Sequence, residues 1–137
     1  MFLVVDTNVI FAFSKSPKVV ELVERLREAK VKTITPQFCF NELVNLKGKV
    51  MRYAGFSEEE FGLFLREAKK VFFVVPQFLY EDFMQEAKSI SPHKKDVPLF
   101  ALSLAFGKAP IWSREPRLRR QKSIKVLSDE EVEELIR

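Results

Sequence analysis

The chain has 137 residues, of which 47% are hydrophobic and 31% charged, and its formal net charge is +4. This composition argues against disorder, the length predicts a single domain over residues 1–137, and the mild positive charge favours polyanionic partners. The one cysteine excludes an internal disulfide, and no apolar run is long enough to span a membrane. We therefore expect a cytoplasmic protein without a targeting segment.

Five apolar runs predict the strands of a parallel sheet. They lack the alternation of a one-sided sheet, as expected for strands that helices cover on both faces. The predicted strands are residues 2–6, 31–35, 71–75, 109–113 and 124–127. Because helical patterns alternate with these strands, the sequence predicts an α/β fold.

The helices are predicted from capping signals and from apolar residues at helical spacing. Ser16 followed by Pro17 predicts a helix start, and Thr35 followed by Pro36 predicts a second helix that runs to about Tyr53. Capping boxes at 57–60 and 128–131 predict two more helices, the latter burying Val132, Leu135 and Ile136. The remaining helical patterns cover residues 78–89 and 97–106, and the last is apolar almost all round.

The first predicted strand ends in an acid, Asp6, that has no cation nearby in the sequence. An ionised carboxylate is rarely buried without a partner, because its desolvation costs several kcal/mol. The last residue of a strand in a parallel sheet stands at the edge where ligands bind. Asp6 is therefore a candidate site residue, and an Asx turn or a helix cap is the alternative.

Three further acids can reach the same edge. Glu42 falls on the apolar stripe of its predicted helix, unless it is an ordinary Glu whose carboxylate reaches water. Asp96 precedes the most apolar helix and suits an N-cap, which leaves one oxygen for another role. Glu115 directly follows the fourth strand, although it could be a surface acid among arginines. Clustered carboxylates repel unless they hold protons or cations, and an oxygen-only ligand set favours Mg²⁺ or Mn²⁺.

Four segments together resemble the signature regions of the PIN domain family, in the right order and across essentially the whole chain. They read VVDTNVI, NEL, KDVPLFALSLAFG and IWSREPRL. The resemblance is to archaeal and bacterial members that include the VapC toxins. It implies a three-layer α/β/α sandwich with a five-stranded, mainly parallel sheet. It also implies an endoribonuclease that uses Mg²⁺ or Mn²⁺ to hydrolyse RNA phosphodiester bonds.

The resemblance assigns catalytic and metal-binding roles to four acids, which are Asp6, Glu42, Asp96 and Glu115. It further implies that neighbouring polar residues hold these ligands in place, namely Thr7, Asn8 and Ser113; for Asn8 a simple turn amide is the alternative. Two positions depart from the family pattern. Glu115 replaces the usual Asp, which moves the carboxylate out by one methylene, and His93 stands where members often carry another acid.

Basic and aromatic residues suggest partners. An arginine-rich segment predicts contacts with the RNA backbone, with a solvated surface as the alternative, through Arg114, Arg117, Arg119 and Arg120. The segments FGLFL and FLYEDFM are candidates for a homodimer face or for a groove that binds an antitoxin protein. An aromatic-rich core accounts for most of the 14 Phe residues.

Two other functions fit parts of the pattern. A phosphoryl-transfer or receiver-like domain would phosphorylate Asp6, but it requires a second acid at position 8 or adjacent acids near the first strand, and this chain has neither. The second is a PIN fold that has lost catalysis through the changes at positions 93 and 115 and only binds RNA or a protein partner. A metal-dependent cleavage assay distinguishes it from an enzyme.

Overall fold

A five-stranded sheet forms the centre of the computed structural model, which describes all residues from 1 to 137. The strands are β1 (Phe2–Val5), β2 (Lys32–Pro36), β3 (Phe73–Val75), β4 (Ile111–Trp112) and β5 (Val126–Leu127). Their order across the sheet is β3-β2-β1-β4-β5, and every neighbouring pair is parallel. The order reverses between β1 and β4, and the carboxyl ends of strands at such a point are where α/β proteins bind ligands.

Eight helices cover both faces of this sheet. They are α1 (Thr7–Phe13), α2 (Pro17–Glu28), α3 (Gln37–Asn45), α4 (Lys47–Ala54), α5 (Glu58–Val71), α6 (Met84–Ile90), α7 (Val97–Ala105) and α8 (Asp129–Leu135). None of the eight combines the length and the apolar character that a membrane crossing requires.

The residues of β1 show how the layers are built. Leu3 and Val5 belong to a core cluster with residues of α1 to α5 and α8, whereas Val4 belongs to a second cluster with residues of α6 and α7. Successive strand residues point to opposite faces, so a strand that is apolar throughout can bury both. The fold is therefore α/β with helices on both faces of a parallel sheet, as predicted.

The local signals in the sequence located most of the elements. All five predicted strands are confirmed, with ends that differ by at most two residues. Ser16 caps α2 by accepting a hydrogen bond from the Val19 N–H at 3.3 Å. Both capping boxes form as predicted, at Ser57 for α5 and at Ser128 for α8.

The prediction of one helix from position 35 to 53 was wrong. The chain forms α3 and α4 instead, and Leu46 lies between them. Thr35 does not cap a helix, because it lies within β2, where its hydroxyl donates to the carbonyl oxygen of Val5 at 2.8 Å. The residue directly before α3 is Pro36, whose side chain has no acceptor, and α3 has no side-chain cap.

Two smaller predictions also need correction, and one helix was not predicted. The segment 78–89 is not one helix, since the 3-10 turns Gln77–Leu79 and Glu81–Phe83 precede α6. Leu135 was expected in the core but is exposed. The helix that was not predicted is α1, a short helix that begins directly after Asp6.

Candidate active site

A pocket of about 450 Å³ opens beside the carboxyl ends of β1 and β4. All four candidate acids line it: Asp6, Glu42, Asp96 and Glu115. No group of three or more His, Cys, Asp or Glu side chains is arranged to hold a metal ion directly. The fold thus brings the predicted acids to one pocket without forming a chelating set, and their chemical roles stay predictions.

Asp6 links β1 to α1 and receives hydrogen bonds from neutral groups only. Its Oδ1 caps α1 by accepting from the Thr7 backbone N–H at 2.8 Å. Its Oδ2 accepts from the Ser113 hydroxyl at 2.7 Å and from the Asn8 amide at 3.3 Å. None of the eight ion pairs of the structure includes Asp6. The capping alternative is thus realised, but it occupies only one of the two carboxylate oxygens.

Burial is the largest influence on the pKa of the Asp6 carboxyl. Burial raises the pKa of the Asp6 carboxyl above its ordinary value, and the negative charges of Glu42 and Asp96 raise it further. The hydrogen bonds from Ser113 and Thr7 lower the pKa but do not offset the rise. The donors around Asp6 therefore stabilise its charged form by less than burial and the neighbouring acids destabilise it.

Glu42 on α3 is coupled to Asp6 through one residue. The Thr7 hydroxyl donates to Glu42 Oε1 at 2.6 Å, while the Thr7 backbone N–H donates to Asp6. Glu42 is half-buried and, like Asp6, takes part in no ion pair. Thr7 therefore fixes two carboxylates at one side of the pocket.

Asp96 has the cation that Asp6 lacks. Arg117 donates to its two oxygens, from Nη2 to Oδ1 at 3.0 Å and from Nε to Oδ2 at 3.2 Å. Arg117 Nη1 also lies 3.9 Å from Glu115 Oε2. Arg117 is thus an internal cation shared by two of the four acids.

Asp96 occupies the N-cap position of α7, as predicted, but its side chain does not cap the helix. Its side chain accepts no hydrogen bond from the first turn, because both oxygens face Arg117. The Asp96 backbone has φ −86° and ψ −10°, whereas capping residues usually have an extended backbone. His93, three residues earlier, is exposed, lies outside the pocket and accepts from the Lys95 N–H at 3.1 Å.

Ser113 and Asn8 tie the loop after β4 to the start of α1. Ser113 Oγ donates to Asp6 and accepts from the Glu115 N–H at 3.0 Å. Asn8 Oδ1 accepts from the Arg114 N–H at 3.0 Å, and its amide contacts Ser113 Oγ at 3.3 Å. These bonds restrict the Asp6 carboxylate and the backbone that carries Glu115 in one network.

Three of the four arginines proposed to contact RNA are paired with acids of the chain itself. Arg114 pairs with Asp129 at 2.9 Å, Arg117 with Asp96, and Arg119 with Glu131. Arg120 is exposed and takes part in no ion pair. Sequence reasoning missed these partners, which lie 12 to 21 residues from the arginines along the chain.

The two aromatic segments divide between the core and the surface. In FGLFL, Phe61 and Phe64 are buried and Leu63 is exposed. In FLYEDFM, Phe78 is 72% exposed, and Leu79 beside it is also exposed. Most of the aromatic residues thus pack internally, and a few exposed apolar side chains are left as candidates for protein contacts.

The groups in the pocket suit a hard divalent cation. Asp6 and Glu42 offer carboxylate oxygens that no cation neutralises, and Arg117 shows that Asp96 and Glu115 attract positive charge. The one soft ligand nearby is Cys39, but burial raises the pKa of its thiol to about 12, so it stays protonated at neutral pH. Oxygen donors of this kind match Mg²⁺ or Mn²⁺, provided that Arg117 releases Asp96.

Comparisons with known proteins agree with this geometry. The crystal structure of VapBC2 from Rickettsia felis bound to a DNA fragment from their promoter contains a chain with the same fold. The TM-score is 0.69 at 14% sequence identity, covering 93% of this chain and 98% of that chain. No curated protein sequence matches the chain. The model of the PIN domain matches residues 4–133. The chain therefore belongs to the PIN domain family.

Proposed function

We propose that this protein is a cytoplasmic, metal-dependent endoribonuclease that hydrolyses RNA phosphodiester bonds. PIN domains are generally nucleases that use divalent metal ions. The observation that carries the proposal is the pairing of Asp6 and Glu42 through Thr7, in a pocket where neither carboxylate has a cation. Two like charges held together in this way destabilise the folded protein unless a cation binds between them.

Asp6, Glu42 and Asp96 would hold the ion, and Glu115 would support a second ion or orient a water. A bound Mg²⁺ or Mn²⁺ supplies the Lewis acidity that phosphodiester hydrolysis requires. Ser113, Asn8 and Thr7 keep both oxygens of Asp6 in a fixed orientation, and Thr7 does the same for Glu42. Since the only histidine of the chain lies outside the pocket, no imidazole takes part in proton transfer.

Cationic groups at the mouth of the pocket support binding of an RNA backbone. Lys95, Arg114 and Arg117 line the pocket, and the unpaired Arg120 lies in the same segment as the two arginines. Such groups bind phosphates without reading the base sequence. They also reduce the repulsion between the RNA and the four acids.

We further propose that the protein has an antitoxin partner. The structural neighbour is part of a VapBC2 complex, and its fold matches this chain over nearly its whole length. The exposed side chains of Phe78 and Leu79 are proposed as part of the contact surface, for an antitoxin or for a second copy of the chain.

Replacing Asp6 with Asn tests the proposed function. We expect cleavage of structured and unstructured RNAs in Mg²⁺ or Mn²⁺ to fall about a thousandfold, or ~4 kcal/mol in barrier height, because the central ligand loses its charge. Asp82→Asn is the matched control, since Asp82 is exposed and outside the pocket. Circular dichroism and a melting curve verify that both variants are folded. Full activity of D6N would refute the assignment.

A module that binds RNA without cutting it is the second candidate, because Arg117 already occupies Asp96 and approaches Glu115. The two candidates differ in metal binding. If the protein is a nuclease, Mn²⁺ at a hundredfold excess over its dissociation constant is expected to raise the free energy of unfolding by about 2.7 kcal/mol, and with it the melting temperature. D6N is expected to show no such rise. RNA binding with no shift and no cleavage favours the second candidate.

A further inference from the structure

A second cavity, opposite in charge to the acidic pocket, lies at the amino edge of the sheet. It has a volume of about 700 Å³ and shares no residue with the acidic pocket. Five cationic side chains line it, and no acid does: Arg27, Lys30, Lys32, Lys69 and Lys70. We call this cavity the basic groove. A β-strand advances about 3.3 Å per residue, so β1 alone separates the two sites by roughly 13 Å.

Aromatic side chains alternate with these cations. Phe73 on the edge strand β3 is 63% exposed, and Phe2 at the start of β1 is also exposed. Phe2 pairs in register with Lys32 on β2, and its ring meets that of Phe106 edge-on with centroids 4.9 Å apart. The groove thus presents aromatic rings beside ammonium groups, an arrangement that binds the bases and phosphates of single strands.

Helix ends account for only part of this charge. Arg27 lies in the last turn of α2, and Lys69 and Lys70 lie in the last turn of α5, where cations offset the helix dipole by about 0.3–1 kcal/mol each. Lys32 is not at a helix end, and Lys30 has φ 62°, a conformation in which glycine is the usual residue. Lys30 closes α2, because its N–H donates to the Arg27 carbonyl oxygen and the Val31 N–H donates to that of Leu26. Helix stability therefore accounts for Lys30, but it explains neither Lys32 nor the exposed ring of Phe73.

Protection of the sheet edge does not explain the groove either. Lysines often guard an edge strand against pairing with another chain, but a large exposed aromatic residue on the same strand promotes such contacts. A second copy of the chain is also a poor occupant, because a symmetric contact would bring five cations against five. An occupant with regularly spaced negative charge and flat apolar groups satisfies both features of the groove.

Two of the five cations have contacts within the chain: Lys70 Nζ lies 3.3 Å from Glu67 Oε1, and Lys69 Nζ lies 5.7 Å from the centroid of the Phe40 ring. Arg27, Lys30 and Lys32 take part in no ion pair.

We propose that the basic groove binds a single-stranded segment of RNA, with its phosphates on the cations of the groove and its bases stacked on Phe73 and Phe2. RNA rather than DNA is chosen because the proposed function acts on RNA, and in this respect the inference rests on it. The groove would hold the strand at a distance from the acids, so that binding and cleavage use opposite edges of the sheet.

Binding is measured by fluorescence anisotropy with a labelled, unstructured RNA of about 12 nucleotides, a length that spans such a site. The protein carries Asp6→Asn, and EDTA is present, so that cleavage and the acidic pocket do not contribute. The double variant K32E/K69E is expected to bind at least about tenfold more weakly in ~0.1 M salt. K88E/K122E is the control, because it changes the net charge equally at exposed sites outside the groove.

Phe73 distinguishes a binding site for a strand from a simple anion patch. Phe73→Leu keeps an apolar side chain but removes the stacking surface, and we expect about fivefold weaker binding or more. Phe73→Trp is expected to stay within about twofold of the parent. Because the side chain is exposed, neither variant should alter the melting temperature.

Several results would overturn the proposal. Equal losses in K32E/K69E and K88E/K122E would show only general attraction between RNA and a basic protein. Unchanged binding in F73L, or tighter binding of single-stranded DNA or poly-glutamate than of RNA, would assign the groove to another anion. Since neither metal nor cleavage is involved, failure here leaves the nuclease proposal standing, and a failed nuclease assay leaves this binding test valid.

Discussion

Two aspartates near the carboxyl end of β4 differ in whether an arginine neutralises their charge. Consecutive residues donate to them: the Trp112 Nε1–H donates to Asp129 at 2.9 Å, and the Ser113 hydroxyl donates to Asp6 at 2.7 Å. Asp129 also receives the Arg114 guanidinium, at 2.9 Å and 3.3 Å. Asp6 receives no cation and faces two other carboxylates.

The contrast separates a structural acid from a candidate functional one. The chain can supply an arginine to a buried carboxylate, since it does so for Asp129 within the same region of the fold. Asp6 and Glu42 have no arginine partner, although several arginines follow closely after β4. Sites of this kind, where a local rule is broken without an internal compensation, are where function is expected.

Replacing Asp129 with Asn tests the structural half of this comparison. Asn has nearly the same volume and still accepts from Trp112, but the buried charge that pairs with Arg114 is lost. We expect the free energy of unfolding to fall by about 2 kcal/mol, less than for a fully buried pair because the arginine side chain is 40% exposed. Urea denaturation measures the change.

The matched variant for this experiment is Asp6→Asn, which removes a charge that has no cation to lose. Its unfolding free energy without metal is expected to fall by less than that of D129N. The relief of repulsion from Glu42 and Asp96 opposes the loss of an oxygen that accepts from Ser113 and Asn8. If D129N and D6N destabilise the protein equally, the two aspartates are equivalent and the comparison fails.

Replacing Arg117 with Met tests whether the shared cation competes with a metal ion. The Met side chain keeps the apolar stem but frees Asp96 and Glu115 and removes a positive charge from the pocket. We expect the Mn²⁺ dissociation constant, measured by calorimetry, to fall about tenfold, or ~1.4 kcal/mol. Arg120→Met, outside any ion pair, is expected to leave it unchanged. Weaker Mn²⁺ binding in R117M would show that Arg117 positions the acids rather than blocking them.

The fold was predictable where the signal is local. The two capping boxes and the Ser16–Pro17 start specify helices through residues three or fewer apart, and apolar runs of about five residues specify buried strands. The start of α3 was misplaced, because Thr35 belongs to β2 and its hydroxyl donates to the carbonyl oxygen of Val5, 30 residues away. No local signal in the sequence marks the break at Leu46. Helix α1 was not predicted, because capping and a role in the site were treated as alternatives for Asp6, whereas its carboxylate caps α1 and also lines the pocket.

The site was predictable as far as topology determines it. Asp6 and Glu115 follow neighbouring parallel strands, so their convergence follows from strand order, whereas the identity of their cation does not. Arg117 reaches Asp96 across 21 residues, and nothing in its local sequence distinguishes it from Arg120. The sequence does contain a signal for Asp129. The chain has only four Asp, and the first turn of α8 would be stabilised equally well by Glu. An Asp at this position, beside two Glu, therefore indicates a further contact of its side chain.

The smallest expected effect concerns the exposed ion pair between Arg119 and Glu131, which lies close to Asp129 in the sequence. Hydrogen bonds, first from Arg119 and then from the Ser128 backbone N–H, lower the pKa of Glu131 to about 2 from an ordinary 4.5. A carboxyl whose folded pKa is depressed adds stability above its unfolded pKa and loses it as the pH falls. The Glu131 side chain is 39% exposed, so solvent screening reduces the contribution to about 0.5 kcal/mol.

Glu131→Gln keeps the oxygen that accepts from Ser128 but removes the charge that faces Arg119. The difference from the parent protein, measured by urea denaturation, is expected to be constant above about pH 5.5 and to shrink as the pH falls from 4.5 to about 2. Glu134→Gln, at an exposed position without an ion pair, controls for the lost charge. A loss as large as that in D129N would mean that exposure does not weaken such pairs here. The Arg114–Asp129 pair would then be no stronger than an ordinary surface pair, and its contrast with the unpaired Asp6 would say less about function.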